Sequence, residues 1–185
     1  MLIVTIVLFF VILVVVILYL LWITDNLFGG EDFTTSKEAI QQIGKIIMAH
    51  NYQTGLLYDL GSSQGGFVFK ILDVCLDLEV VGIDKSRIRI WSAKLRRFFH
   101  PSKKVPRFLK MDIFDIDVSK INLAFVYLPR PMLPNLEEKL QKNLKPGSLV
   151  ITYRVHFPNW QPKEVFKTDF KKGSSQNNIF VYRQV

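Results

Sequence analysis

An α/β domain with a mostly parallel sheet, preceded by one transmembrane helix, is the fold class this sequence predicts. Three observations predict it. The first 24 residues carry no charged side chain. Beyond a short polar stretch, brief runs of Val, Ile, Leu and Phe alternate with segments of helical periodicity. A glycine-rich turn, Leu-Gly-Ser-Ser-Gln-Gly-Gly, closes the first of those runs.

Residues 1–23 are apolar but for Thr5 and contain no helix breaker. About 20 such residues, each rising 1.5 Å, span a bilayer core of roughly 30 Å. Tyr19 and Trp22 close the run, where amphipathic rings favour the membrane interface. A cleaved signal peptide would want a charged start, a shorter apolar core and a small-residue cleavage site. The expectation is therefore a retained single-pass anchor. The later basic residues favour a cytoplasmic side for the rest of the chain.

Residues 24–35 read as a linker and 36–185 as one domain of ordinary size. A helix is expected to start at Ser36 as N-cap, with Ile40, Ile43, Ile46 and Ile47 on one face. Strands are expected over 56–60, 79–83, 105–109, 122–128 and 148–153. Helices are expected over 65–76, 86–99 and 133–144. Runs 165–168 and 178–182 could close the sheet as an antiparallel pair. Alternation of this kind, with short links, is the signature of a parallel sheet with crossover helices.

The chain carries 24 Lys and Arg against 16 Asp and Glu, a formal net charge of +8. A basic domain suggests an anionic neighbour such as lipid headgroups, nucleic acid or an acidic protein surface. The single cysteine, Cys75, excludes an internal disulfide framework. It sits in an apolar stretch and is expected to be a buried structural thiol. No His/Cys cluster has zinc-ligand spacing, so no metal site is expected.

The glycine turn carries the chemistry. In open parallel sheets, ligands bind at the carboxyl ends of the strands, where a turn meets a helix N-terminus. The dinucleotide fingerprint G-x-G-x-x-G would place its glycines at 61, 63 and 66, but Ser63 holds the middle position. The looser pattern Asp/Glu-x-Gly-x-Gly-x-Gly fits at Asp59, Gly61 and Gly65, again with Ser63 in the middle. Asp84, closing the second strand, can accept hydrogen bonds from two ribose hydroxyls. Asp112, after the third strand, can meet an adenine amino group. These acids, and a chain too short for a second substrate domain, favour S-adenosyl-L-methionine over a dinucleotide. Lys85 and Ile113, beside those acids, join the expected cofactor site.

Three further segments resemble a known family. Residues 126–140, with Pro129, Met132, Pro134, Leu136, Glu137, Lys139 and Leu140, look like a motif of small membrane-anchored protein-lysine N-methyltransferases. These are relatives of the enzymes that act on the c-subunit of ATP synthase and on the adenine nucleotide translocase. Residues 153–160, Tyr-Arg-Val-His-Phe-Pro-Asn-Trp, resemble the family's Arg-x-x-Phe-Pro-x-Trp run, which comes directly after the fifth strand with no room for the usual helix. The stretch from Phe33 and Thr34 through Thr35 to Lys37 resembles the segment the family places before the cofactor loop. The resemblance implies a Rossmann-like class I methyltransferase with a seven-stranded-type sheet, and a lysine acceptor on a membrane-associated protein. It puts Thr35 beside the cofactor. It puts Tyr127 and Pro129 in the acceptor wall, with His156 and Trp160 as acceptor contacts.

Two other functions fit the same residues. One is methylation of a lipid- or quinone-like small molecule; the other is a non-catalytic module that binds a cofactor or RNA. The run 85–110 holds ten Lys or Arg and no acid. It is expected to meet anionic lipid, although RNA phosphates would suit it too. Its aromatics Trp91, Phe98 and Phe99 are expected on the buried face of a helix rather than as base-stacking platforms.

Overall fold

A computed structural model describes residues 2–28, 35–168 and 177–185. The chain divides into two compact units, Met1–Asp32 and Phe33–Val185. Among its described residues the first holds one helix, α1 (Leu2–Phe28). It runs past the expected end of the apolar segment into the expected linker, because nothing over 24–28 breaks a helix. Residues 29–34, with Phe33 and Thr34, lie outside the described residues. The stretch Leu2–Leu20 has a mean hydropathy of 3.4 and is long enough to cross a bilayer. None of its side chains is buried.

The second unit opens with α2 (Lys37–Ala49), capped as the sequence predicts: Ser36 Oγ accepts the Ala39 N–H at 3.2 Å. Its buried face includes Ile40, Ile43, Ile46 and Ile47. The chain then alternates β1 (Leu56–Leu60), α3 (Gly66–Val74), β2 (Glu79–Asp84), α4 (Arg87–Arg97) and β3 (Arg107–Lys110). It continues through β4 (Leu123–Val126), α5 (Leu133–Asn143), β5 (Leu149–Tyr153), β6 (Glu164–Lys167) and β7 (Asn178–Arg183).

Among the described residues the sheet is ordered β3-β2-β1-β4-β5-β7-β6. Strands β1 to β5 pair in parallel, and β7 runs antiparallel between β5 and β6. Strands β4 and β5 are buried along their whole length, as a sheet covered on both faces requires. Right-handed crossovers fix the helices: strand order runs one way from β1 to β3 and the other way from β4 to β5. That reversal puts α3 and α4 over one face and α5 over the other. It also opens a crevice beyond the carboxyl ends of β1 and β4, the switch point where such sheets bind ligands. No helix separates β5 from β6. Cys75 is buried, as expected.

One expectation fails. Trp91, Phe98 and Phe99 are not on the buried face of α4: they are 58%, 75% and 81% exposed. The inner face is filled instead by Arg89, Ile90 and Ala93. Helical spacing alone could not tell which of two stripes faces the sheet.

Candidate active site at the switch point

β1 ends in Asp59 and Leu60, and the chain must turn at once to enter α3. Gly61 and Gly65 make that turn with φ of +99° and +78°, conformations a side chain rarely adopts. At Gly65 a Cβ would also lie 2.8–2.9 Å from ring atoms of Phe108 and Phe69. Ser63 sits between them at φ +47°, in the left-handed region where the family pattern places glycine. The serine has therefore left the backbone shape of the motif in place.

Asp84, at the end of β2, ties this loop down. One carboxylate oxygen accepts the Ser63 N–H at 2.9 Å and the other the Ser86 N–H at 2.8 Å. The Gly61 and Ser62 N–H groups both donate to the Ile83 carbonyl, at 2.9 and 2.8 Å. The Met111 N–H donates to the Asp84 carbonyl at 3.0 Å, which brings the segment carrying Asp112 and Ile113 to the same edge. Ile113 is buried, Asp112 is half-buried with its carboxylate accepting the Phe114 N–H, and Lys85 is exposed. Thr35 is buried, and its carbonyl accepts from Lys70 Nζ at 3.1 Å.

Asp59 stands apart. It is 3% exposed, and among the described residues its Oδ2 has no hydrogen-bond partner. Burial, with the neighbouring Asp84 charge as a smaller contribution, pushes its carboxyl well above the usual carboxylate range. Ser62 Oγ is likewise buried without a partner. Buried polar atoms are normally satisfied, so these two, one at the end of β1 and one in the turn after it, point to a ligand with donors.

Beyond β4 and β5 lies a cleft of about 510 Å³ lined by residues that include Arg130, Leu133, Arg154, His156, Asn178 and Phe180. Tyr127 forms its deeper neighbour: Arg154 Nη1 donates to Tyr127 Oη at 3.3 Å, and the Tyr127 ring meets Tyr153 edge-on. Burial pushes the Tyr127 hydroxyl pKa up, and Arg154 offsets part of that shift. Pro129 is half-buried and starts the short helical turn Arg130–Met132. His156 is exposed, with Nδ1 3.0 Å from the Phe157 carbonyl. Trp160 does not face the cleft region; it packs with Phe157 and Tyr182 in a buried aromatic cluster.

Two residues escape a reading of the sequence. Arg154 adopts φ +61°, unusual for a side-chain-bearing residue, at the lip of the cleft. In the sequence it is one letter of a motif, and no local signal marks a left-handed arginine. Glu137 is likewise only a matched letter there. In the fold it is 2% exposed, and both its oxygens face the Asn159 N–H, at 3.0 and 3.2 Å. Glu137 thus fastens the loop after β5 to α5 and physically joins the two family-like segments.

Strand order, the glycine loop after β1 and the acid ending β2 together define a class I methyltransferase fold. The chain belongs to the ANTKMT methyltransferase domain family, whose family model matches residues 59–164. It is 27% identical over 125 residues to the lysine N-methyltransferase of the ATP synthase c-subunit from Xenopus laevis, covering 68% of this chain and 54% of that one. It is 25% identical over 130 residues to a protein-lysine N-methyltransferase of Saccharolobus islandicus, covering 70% and 80%. The chain thus spans about half the length of the vertebrate relative. Among solved structures, an RNA methyltransferase of Salinibacter ruber in complex with S-adenosyl-L-homocysteine superposes with a TM-score of 0.68 at 20% identity, covering 82% and 93%. A SAM-dependent O-methyltransferase of Thermotoga maritima superposes at 0.63 and 14%, covering 85% and 69%. These two likenesses concern the fold alone.

Proposed function

We propose that this chain transfers a methyl group from S-adenosyl-L-methionine to the side-chain amine of a lysine on a protein. The observation that carries the reading is Asp59: a buried carboxyl with an oxygen unpartnered among the described residues, at the end of β1 just before the left-handed glycine turn at the sheet's switch point. The cofactor is cationic and bears an ammonium, and it would supply an activated methyl on sulfur. Those features fit an acid whose carboxyl pKa is raised by burial, because a bound cation would favour its ionised form.

The chain's own residues divide the remaining work. Gly61, Ser63 and Gly65 shape the cradle. Asp84 holds Ser63 and Ser86 in place and keeps lone pairs for ribose hydroxyls. Asp112 and Ile113 border the adenine end, with Lys85 at its margin, while Thr35 lies toward β5, where Tyr153 Oη is 3.5 Å from Oγ of the adjoining Ser36. Tyr127 and Pro129 wall the acceptor side. Burial raises the Tyr127 hydroxyl pKa, which makes it a poor base, and its oxygen accepts from Arg154. The acceptor amine must therefore arrive neutral, against an ordinary lysine pKa of about 10.4. Desolvation and the nearby guanidiniums of Arg130 and Arg154 favour that neutral form. Orientation and exclusion of water then do most of the catalysis. His156 meets the acceptor at the cleft mouth, and Trp160 serves packing.

The helix α1 is read as a membrane anchor, with the catalytic domain on the cytoplasmic side and the acceptor a membrane-associated protein. Its bare apolar surface and span-like length support this over a soluble core helix. The related lysine methyltransferases support the protein acceptor. The test uses the full chain in detergent, methyl-labelled cofactor, and membrane and soluble protein fractions as acceptors. Label is expected in acid-stable methyllysine of a membrane-fraction protein. Tyr127→Phe is expected to lower kcat/KM about tenfold with little change in melting temperature. Label appearing only in lipid or RNA would refute the lysine reading.

A further inference from the structure

Helix α4 carries two stripes. Arg89, Ile90 and Ala93 face the sheet. Trp91, Leu95 and Phe98, spaced i, i+4 and i+7, form a second apolar stripe on the outside, 58%, 46% and 75% exposed. Phe99 and Val105, in the loop beyond it, are 81% and 69% exposed. Isolated surface apolars need no explanation, but a contiguous patch of rings and aliphatics marks a contact surface.

The charge around the stripe selects the partner. Arg87 and Lys94 are exposed on α4 itself. Lys103 and Lys104, in the loop after α4, pair with Asp77 and Glu79. No acid occurs between 85 and 110. Basic residues flanking Trp, Phe and Leu on one helix face is the composition of a helix that lies in a membrane interface. An RNA surface would use the rings, but Leu95 and Val105 offer no face for a base to stack on. The same chain holds a helix of membrane-spanning length.

We propose that the outer face of α4 and the loop after it form a docking surface for an anionic lipid bilayer. Trp91, Leu95 and Phe98 enter the boundary between headgroups and acyl chains, and Arg87 and Lys94 contact lipid phosphates. The switch-point site uses none of these side chains. The contact gives the domain a preferred face toward the bilayer.

The test uses the full chain reconstituted into vesicles of phosphatidylcholine, with or without phosphatidylserine. An environment-sensitive fluorophore is attached at Leu95→Cys, or at Lys142→Cys on α5 as control. The unsubstituted chain reports background from Cys75, which is buried. With phosphatidylserine, the label at 95 is expected to shift to the blue and be quenched by shallow nitroxide lipids, while the label at 142 stays in water. High salt should reverse the effect. Arg87→Glu with Lys94→Glu should lower the docked fraction at least tenfold, at about fivefold per basic residue removed. Trp91→Ser with Phe98→Ser should abolish quenching at 95. All four positions are exposed, so circular dichroism should show intact folding. Water-like emission at 95 in both vesicle types overturns the proposal. So does equal quenching at 95 and 142, or a shift at 95 that depends on added RNA and not on lipid.

Discussion

Asp59→Asn should make the free protein more stable while weakening its hold on the cofactor. The native carboxylate is 3% exposed, and one oxygen lacks a partner. An unsatisfied buried polar group costs about 1–3 kcal/mol, with more for a charge. Asparagine keeps the shape and removes the charge. In a domain of this size, each kcal/mol shifts the melting temperature by roughly 2–4 °C, so a rise of about 2–12 °C is expected at neutral pH. The sign of the pH dependence comes from the raised pKa of Asp59 in the folded state. Below the unfolded value of about 3.9, both states are protonated and the variant has no advantage. The native chain then loses stability as pH rises toward the folded pKa, above which the loss is complete. The advantage of the asparagine variant over the native chain should therefore be absent near pH 3 and full at alkaline pH. Calorimetry should show S-adenosyl-L-methionine binding weakened at least tenfold, which is 1.4 kcal/mol. Melts of the full chain in detergent, with and without cofactor, measure both effects. A variant that binds cofactor like the native chain refutes the assignment of Asp59 as counter-charge. A variant less stable than native at pH 8 refutes the account of its burial.

Two further outcomes rest on the same geometry. Glu137→Ala removes the acceptor of the Asn159 N–H and should cost about 1–3 kcal/mol; it should also lower kcat by loosening the loop that carries His156. Glu137→Gln keeps one acceptor and should recover most of both, as melts and label-transfer rates will show. Gly65→Ala forces a Cβ into a left-handed backbone and within 2.9 Å of two rings. A loss of about 2 kcal/mol or more is expected, with cofactor binding below detection by calorimetry. An alanine variant that melts within about 2 °C of native, less than a kcal/mol in a domain of this size, would show that the rings yield freely.

Much of this molecule is legible one residue at a time, because the signals are local. Ser36 caps α2 since its hydroxyl reaches an N–H three residues on, and no distant contact is needed. The parallel strands announce themselves as apolar runs, and Gly61 and Gly65 mark the turn since few other residues tolerate such φ values. The acids Asp59, Asp84 and Asp112 stand at strand ends, so the expected cofactor edge can be named before any strand is paired. Other features belong to tertiary structure. Two stripes on α4 have equal claim to the sheet by periodicity; packing against β2 and β3 chose Ile90 and Ala93 and left Trp91 and Phe98 in solvent. Trp160 is drawn into the Phe157 and Tyr182 cluster by ring area that only a folded core can bury. The pairing of Glu137 with Asn159, the meeting of Arg154 with Tyr127, and the orphaned oxygen of Asp59 all join or isolate atoms from separate elements. Sequence determines which groups a chain can offer. Only the packed sheet, by excluding water around them, decides which are satisfied and which are left for a ligand.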